Sequence, residues 1–314
     1  MTTTSQSPLW QPSASLETLK SRAHIINLIR QFFQNRDVLE VTTPVLLSTV
    51  APERYQNPQV CDNGFLHSSP ETAMKRLVAA GYGSIFQICQ VFRADEAGVM
   101  HNPEFTMLEW YRPGWAMADL MVEVGDLLQH ILNCPPPITL TFCQAFQKYV
   151  GIDPFLSPLS ELSEKVSVPP PDGLDRGGLV DLLLVDRLEP ALKKQGGSLF
   201  LLDYPAWDPA MAEVDPGPPK VAKRFEMYVD GVELANGYQE LRDADEQNRR
   251  FLQVNQQRKQ DGRQQLPIDN HFLDALKHGL PRCAGVALGV DRLLMLAMKK
   301  NRIADVMAFP VDRA

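Results

Sequence analysis

An Asp-Gly pair with strand-like apolar runs on both sides leaves a chain few local options, and residues 225–229, Asp230-Gly231 and 232–235 form such a stretch. A two-residue hairpin loop needs positive φ at both positions, which this pair tolerates, so an antiparallel hairpin is predicted. Its register follows: Val229 faces Val232 and Tyr228 faces Glu233. Glu226, two residues before Tyr228, shares its face and lies diagonal to Glu233. Two carboxylates on one side of a sheet repel unless a cation sits between them. Mg²⁺ is typically held by one or two carboxylates together with substrate phosphates. The alternative is a solvent-exposed face bearing two unrelated acids.

Elsewhere, periodicity is clear at the start and weak in the middle. Leu16, Leu19, Ala23, Ile26, Ile29 and Phe33 recur at steps of three and four, the apolar face of a helix with Ser15 as N-cap. Residues 38–41 read as a strand running into Pro44, and 45–66 hold turn formers without a period. A helix is expected over 69–80, with Ser69 capping and Pro70 at the first helical position. Strands follow at 85–92 and 105–111, joined by the polar loop 93–104, then a helix over 116–132. Residues 135–222 are the least regular, with triple prolines at 135–137 and 169–171 and a Pro/Gly-rich run at 205–219. Helices are expected near 142–149 and 174–194, and a strand at 198–202. A helix over 243–259 has a capping-box layout, Asp243 with Glu246, and its Arg249, Arg250, Arg258 and Lys259 read as a solvated face. A strand at 285–288 and a helix at 290–299 close the chain.

Composition narrows the class. Among 314 residues, 31 basic against 38 acidic side chains leave a net charge of -7, which disfavours gripping nucleic-acid backbone as the main role. Cys61, Cys89, Cys134, Cys143 and Cys283 are scattered without a C-x-x-C pair, so reduced thiols in a cytoplasmic protein are expected rather than a disulfide framework or zinc site. The N-terminus lacks a signal-peptide layout, and no run is long and apolar enough to span a bilayer. Residues 1–14 read as a frayed leader and 15–314 as one domain, with 135–222 an irregular insertion.

Two more segments carry chemistry. Arg93 leaves a strand into a loop, as Phe92-Arg93-Ala94-Asp95-Glu96, and His101-Asn102-Pro103-Glu104-Phe105 returns on the next strand. A guanidinium there suits a phosphate, and an aromatic ring suits a base; an ordinary surface hairpin is the plain alternative. Later, Gly285-Val286-Ala287-Leu288-Gly289-Val290-Asp291-Arg292 joins a strand to a helix start, an arrangement that suits an anion. Tight packing is the plain alternative.

Together and in this order, these segments resemble motifs 2 and 3 of the class II aminoacyl-tRNA synthetases, and the opening helix, strand and Pro44 resemble motif 1, the dimer element of that family. Ser69-Pro70-Glu71, the run from His101 to Tyr111, and Glu233-Leu234-Ala235-Asn236-Gly237 are similar to the lysyl branch. The first helix begins too early to leave room for the N-terminal OB-fold that reads the anticodon. The chain therefore looks like the truncated paralogues of that branch, the elongation factor P–(R)-β-lysine ligases. The resemblance spans roughly residues 15–314.

The resemblance implies an α+β fold, the class II synthetase catalytic fold, with a mostly antiparallel sheet flanked by helices. It implies a cytoplasmic, homodimeric ligase using ATP and Mg²⁺, with (R)-β-lysine or lysine as substrate and elongation factor P as acceptor; neither membrane nor tRNA is expected as a partner. Carried over residue by residue, Arg93 would hold the α-phosphate and Arg292 the γ-phosphate, while Glu226 and Glu233 would ligate Mg²⁺. Phe105 would stack on adenine, with Ala94, Asp95, Asn102 and the Glu233-Leu234 backbone nearby, and Gly289 would let the nucleotide approach the main chain. Glu240 and Tyr111 would take the distal amine of the substrate and Glu71 the amine near its carboxylate, on the Ser69-Pro70-Glu71 segment. Ala287 replaces a glycine usual in the synthetases, and one methyl is worth about 1–3 kcal/mol of discrimination. Where the family reads Arg-Asn-Glu, this chain has Arg93-Ala94-Asp95, and either Asp95 or Glu96 is left to meet the adenine amine. The 45–68 segment is short for the family. An α-lysine-activating synthetase-like enzyme and a non-catalytic paralogue are the competing readings.

Overall fold

The computed structural model describes residues 8–171 and 173–314. In chain order the elements are α1 (Leu16–Gln34), β1 (Leu39–Glu40), β2 (Leu46–Leu47), β3 (Gln59–Cys61), β4 (Gly64–Leu66), α2 (Glu71–Ala79), β5 (Ile85–Phe92), β6 (Glu104–Pro113) and α3 (Met117–Leu132). They continue with β7 (Ile138–Thr141), α4 (Phe142–Tyr149), α5 (Leu159–Lys165), α6 (Arg176–Leu183), α7 (Glu189–Gln195), β8 (Ser198–Pro205), β9 (Val214–Asp215), β10 (Val221–Val229) and β11 (Val232–Gln239). Last come α8 (Ala244–Gln260), α9 (Asn270–Gly279), β12 (Cys283–Gly289) and α10 (Val290–Ala297).

The chain divides into two compact units, Met1–Glu109 with Phe251–Ala275 and Gly289–Ala314, and Trp110–Arg250 with Leu276–Leu288. In the first, α1 starts where Ser15 Oγ accepts from the Thr18 amide at 3.1 Å and buries Ile25, Ile29, Phe32 and Phe33. Phe33 stacks on Phe86, ring centroids 4.7 Å apart, which seats the helix on β5. There β1 pairs in parallel with β5, and β6 follows β5 in strand order. The turn-rich 45–66 region folds into a small antiparallel sheet, β2-β4-β3, too short for its alternation to register in sequence. Of the leader expected over 1–14, residues 1–7 lie outside the described residues. Beyond them, the Ser13 and Ala14 amides donate to Ala308 and Met307 carbonyls at 2.8 and 3.1 Å, and Ala14 is buried.

The second unit runs β6-β12-β11-β10-β8-β7, with β9 beside β10. The pairs β12–β11, β11–β10 and β10–β8 are antiparallel, and β7–β8 is parallel. A core of Phe142, Phe146, Leu162, Leu183, Leu188, Leu201 and Tyr228 packs against this sheet. The stretch 135–222 holds α4–α7 and β7–β9, its prolines lying mainly in the connections; residue 172 lies outside the described residues. The helix expected over 174–194 is interrupted by a π-helical turn, Leu184–Leu188.

The 243–259 helix departs from expectation. Asp243 Oδ1 accepts from the Asp245 and Glu246 amides, both at 3.0 Å, but Glu246 turns to Arg249 and Arg250 instead of completing a capping box. Two of its arginines are not a solvated face: Arg250 is 7% and Arg258 1% exposed. Both donate to backbone carbonyls, Arg250 to Ala210 and Ala212. The solvated reading fails because a long cationic side chain can be buried where carbonyl and carboxylate oxygens accept most of its donors.

Candidate functional site

In the first unit, the loop after β5 is closed at its base by the Arg93 amide donating to the Pro103 carbonyl at 2.9 Å. The Arg93 side chain is about half-buried, its guanidinium carbon 5.1 Å from the Phe105 ring centroid, so these two expected site residues do meet. Its Nη1 is a long 3.4 Å from Glu96 Oε1, and its Nε is buried with no hydrogen-bond partner. Asp95 instead accepts from Asn57 Nδ2 at 2.6 Å. Asn102 is buried and spends its amide on the backbone: Nδ2 donates to the Glu104 carbonyl at 2.6 Å and Oδ1 accepts from the Val311 amide at 2.9 Å. Its role in this structure is to fasten the loop to the C-terminal segment.

Arg292 sits in the first turn of α10, after Gly289 at the N-cap. Its Nη2 is 2.6 Å from His101 Nε2. Burial, then Arg292, hold the His101 proton affinity below the ordinary imidazole value, with Arg93 adding to the effect and Glu96 opposing it. A neutral ring is the form that accepts the Arg292 N–H. No role was assigned to His101 from sequence; its place in the His101–Phe105 run was the only signal. In the same unit, Ser69 Oγ donates to the buried Glu109 at 2.7 Å and accepts from the Glu71 amide at 3.0 Å, so Ser69 anchors the start of α2, where Pro70 stands at the N-cap. Glu71 pairs with the buried Lys75 at 2.6 Å.

In the second unit the hairpin turns through Asp230 (φ 49°) and Gly231 (φ 74°), both in the positive-φ region the two-residue loop requires. Val229 pairs with Val232 and Tyr228 with Glu233, the expected register. Past that point Met227 pairs with Ala235, leaving Leu234 as an extra residue that bulges β11. Glu226 is therefore opposite Asn236. Glu226 is 5% exposed, which removes the solvated-face alternative. Tyr204 and Tyr228 hydroxyls donate to its Oε2 at 2.5 and 2.7 Å, and Arg224 Nη2 donates to Oε1 at 2.5 Å. The cation beside this carboxylate is thus a guanidinium of its own strand. Burial raises both phenols, and Glu226 and Glu233 each push the same way, with Arg224 opposing at Tyr204.

The donor set suits Mg²⁺. Oε2 of Glu226 is filled by two hydroxyls, while Oε1 takes one N–H and keeps one lone pair. Among the described residues no group of three or more His, Cys, Asp and Glu could hold a metal. A Mg²⁺ at Glu226 and Glu233 would draw its other ligands from water and phosphate, its ordinary habit.

Tyr111 and Glu240 are 2% and 1% exposed. A Cβ on Gly285 would lie 2.3 Å from Tyr111 Cε1 and 2.4 Å from Glu240 Oε1, so the missing side chain at 285 is what lets these two groups approach one spot. The Gly-x-x-x-Gly spacing alone gave no sign of this close approach. Ala287 lies two residues along β12, on the same face, opposite Asn236. 

The sequence pattern of the tRNA synthetases class II (D, K and N) matches residues 9–313. The chain is 46% identical over 325 residues to an elongation factor P–(R)-β-lysine ligase of Salmonella arizonae, covering 99% of this chain and 100% of that protein. It is equally similar, at 46% over 331 residues, to the ligase of that name from Pectobacterium atrosepticum, with 99% and 100% covered. The Erwinia tasmaniensis ligase matches at 46% over 319 residues, 97% and 98% of the two chains.

Proposed function

The chain belongs to the class II tRNA synthetases (D, K and N), and on that premise we propose that it is an ATP-dependent ligase joining (R)-β-lysine to a lysine side chain of elongation factor P. The observation that carries this reading is the end-to-end similarity to proteins of that name, with Arg93, Arg292, Glu226, Glu233 and Glu240 all present. In the first step a substrate carboxylate oxygen bonds to the α-phosphorus of ATP and the bond to pyrophosphate breaks. In the second, the acceptor amine bonds to the acyl carbon, AMP leaves, and the amine loses a proton.

Both steps need positioning and charge neutralisation more than covalent help. Arg93, with its underused donors, takes the α-phosphate, and Arg292, steered by neutral His101, takes the γ-phosphate. Phe105 supports the adenine. Glu233 and Glu226 hold Mg²⁺, which when bound neutralises phosphate charge. Tyr111 and Glu240 receive the distal ammonium, and Glu71, already paired with Lys75, the other amine. The Ala287 methyl favours a β-amino over an α-amino acid. The same reading makes the enzyme a cytoplasmic homodimer that does not use tRNA.

The test is to incubate the protein with ATP, (R)-β-lysine and elongation factor P and weigh the acceptor. A gain of one lysyl residue is expected; an unchanged mass refutes the reading. Pyrophosphate exchange faster with α-lysine would instead favour the synthetase-like alternative.

A further inference from the structure

Nothing in the adenylate chemistry uses Arg258, yet it is among the most deeply buried charged side chains of the molecule. Four of its five N–H donors go to carbonyl-type oxygens: Nη1 to Glu53 and Gln56 at 2.6 and 2.7 Å, Nε to Gln264 at 2.8 Å, and Nη2 to Asn57 Oδ1 at 3.1 Å. Burial accordingly lowers its proton affinity, with Arg263 acting in the same direction. Arg263 reaches the Tyr55 carbonyl at 2.9 Å, and Arg54 pairs with Asp261 at 2.9 Å. The 53–57 segment is therefore gripped along its length.

That grip has a direction. A guanidinium only donates, so it holds the Asn57 amide oxygen toward itself and turns the NH₂ group away. The NH₂ group donates to Asp95 Oδ2 at 2.6 Å, and the Asn57 carbonyl accepts from the Ala94 amide at 3.1 Å. These are the two positions where the chain departs from the Arg-Asn-Glu of its family. The neighbouring Glu96 turns back toward Arg93. Asp95 is thus tied through one oxygen, Oδ2, and on this exposed residue Oδ1 remains as a second acceptor.

We propose that Asn57, clamped by Arg258, is a positioning residue that aims Asp95 at the 6-amino group of adenine, so that base selectivity depends on the 53–57 segment. The inference rests on the nucleotide reading of the Arg93 loop. It explains how an acid one methylene shorter than the usual glutamate keeps its reach: a side chain outside the loop sets its position.

The experiment measures pyrophosphate exchange by the full chain with ATP and with purine riboside triphosphate, which lacks the 6-amino group. Asn57→Ala should lower the ratio of the two kcat/KM values by about 10-fold, the scale of one charge-assisted hydrogen bond. It should leave the KM for the amino acid unchanged, while the melting temperature falls by a few degrees because the buried Arg258 loses one acceptor. Asp95→Ala should lower the ratio equally, and the double variant no further, because both act on one contact. If Asp95→Ala lowers the ratio and Asn57→Ala does not, Asn57 has no positioning role and the nucleotide reading stands. If neither moves it, Asp95 does not read adenine and the proposal falls. Absence of ATP-dependent exchange by the unaltered protein overturns both.

Discussion

Arg93, just past the end of β5, and Arg224, within β10, are arginines of different units with different surroundings. Arg224 lies 4.4 Å over the Tyr204 ring, bonds Glu226 at 2.5 Å and donates through Nε to Asn236 at 3.2 Å. Burial alone would lower its proton affinity; Glu226, Tyr238 and Tyr204 reverse that and raise it well above the ordinary value. Arg93 has one long ion contact, a ring beneath it and a buried Nε without an acceptor. Arg224 is paired with a buried carboxylate of its own strand, and Arg93 has no comparably close carboxylate partner. On the proposed reading, the donors Arg93 keeps are those that meet a phosphate.

Removing the arginine paired with a buried carboxylate should have the largest effect on stability. Arg224→Ala leaves Glu226 buried without its cation, and urea unfolding should show a loss of about 3–5 kcal/mol. If the loss is below about 1 kcal/mol, Arg224 is not the structural member of the pair. Arg93→Ala should do the reverse: stability within roughly 1 kcal/mol of the parent, but pyrophosphate exchange down about 100-fold or more, as when a charge-stabilising donor is removed. Equal damage to stability and exchange would erase the distinction.

Gly285→Ala sharpens the picture in the second unit. The new methyl overlaps Tyr111 and Glu240, so a destabilisation of about 1–3 kcal/mol is expected, with a raised KM for the amino acid and little change in the KM for ATP. A change confined to ATP would detach Tyr111 and Glu240 from amino-acid binding.

The smallest effect is a pH dependence in the first unit. His101 and His67 both have folded pKa values below 6.5, in each case first because burial disfavours the charged ring. The unfolded chain then binds protons that the folded chain refuses. Stability is fully present above the unfolded value and falls progressively as pH drops from about 6.5 toward the folded values. His101→Asn should flatten part of that slope in melting temperatures measured between pH 7.5 and pH 5. An unchanged slope would place the whole dependence elsewhere.

Local chemistry made part of this architecture legible. Asp230-Gly231 set the turn and its first two pairs, Ser15 capped α1 as its spacing implied, and the bounds of β5 and α4 were readable from alternation and period. The bulge at Leu234 was not readable, because strand pairing beyond the turn answers to β12 and the core as well as to the loop. The three short strands between Leu46 and Leu66 carry too few residues to show a period. Arg258 looked like a solvated charge because its acceptors lie about two hundred positions earlier in the chain.

By itself the sequence determined which chemical groups exist and in what order: the arginines at 93 and 292, the spaced glutamates and the hairpin that carries two of them. Only tertiary structure decided how each group is used. Which acceptors a guanidinium meets, whether a carboxylate is solvated or buried, and which side chain bonds Asp95 depend on the fold, often through partners distant in sequence. Hydrogen bonding and desolvation act at a few ångströms, and the fold alone sets which residues come that close.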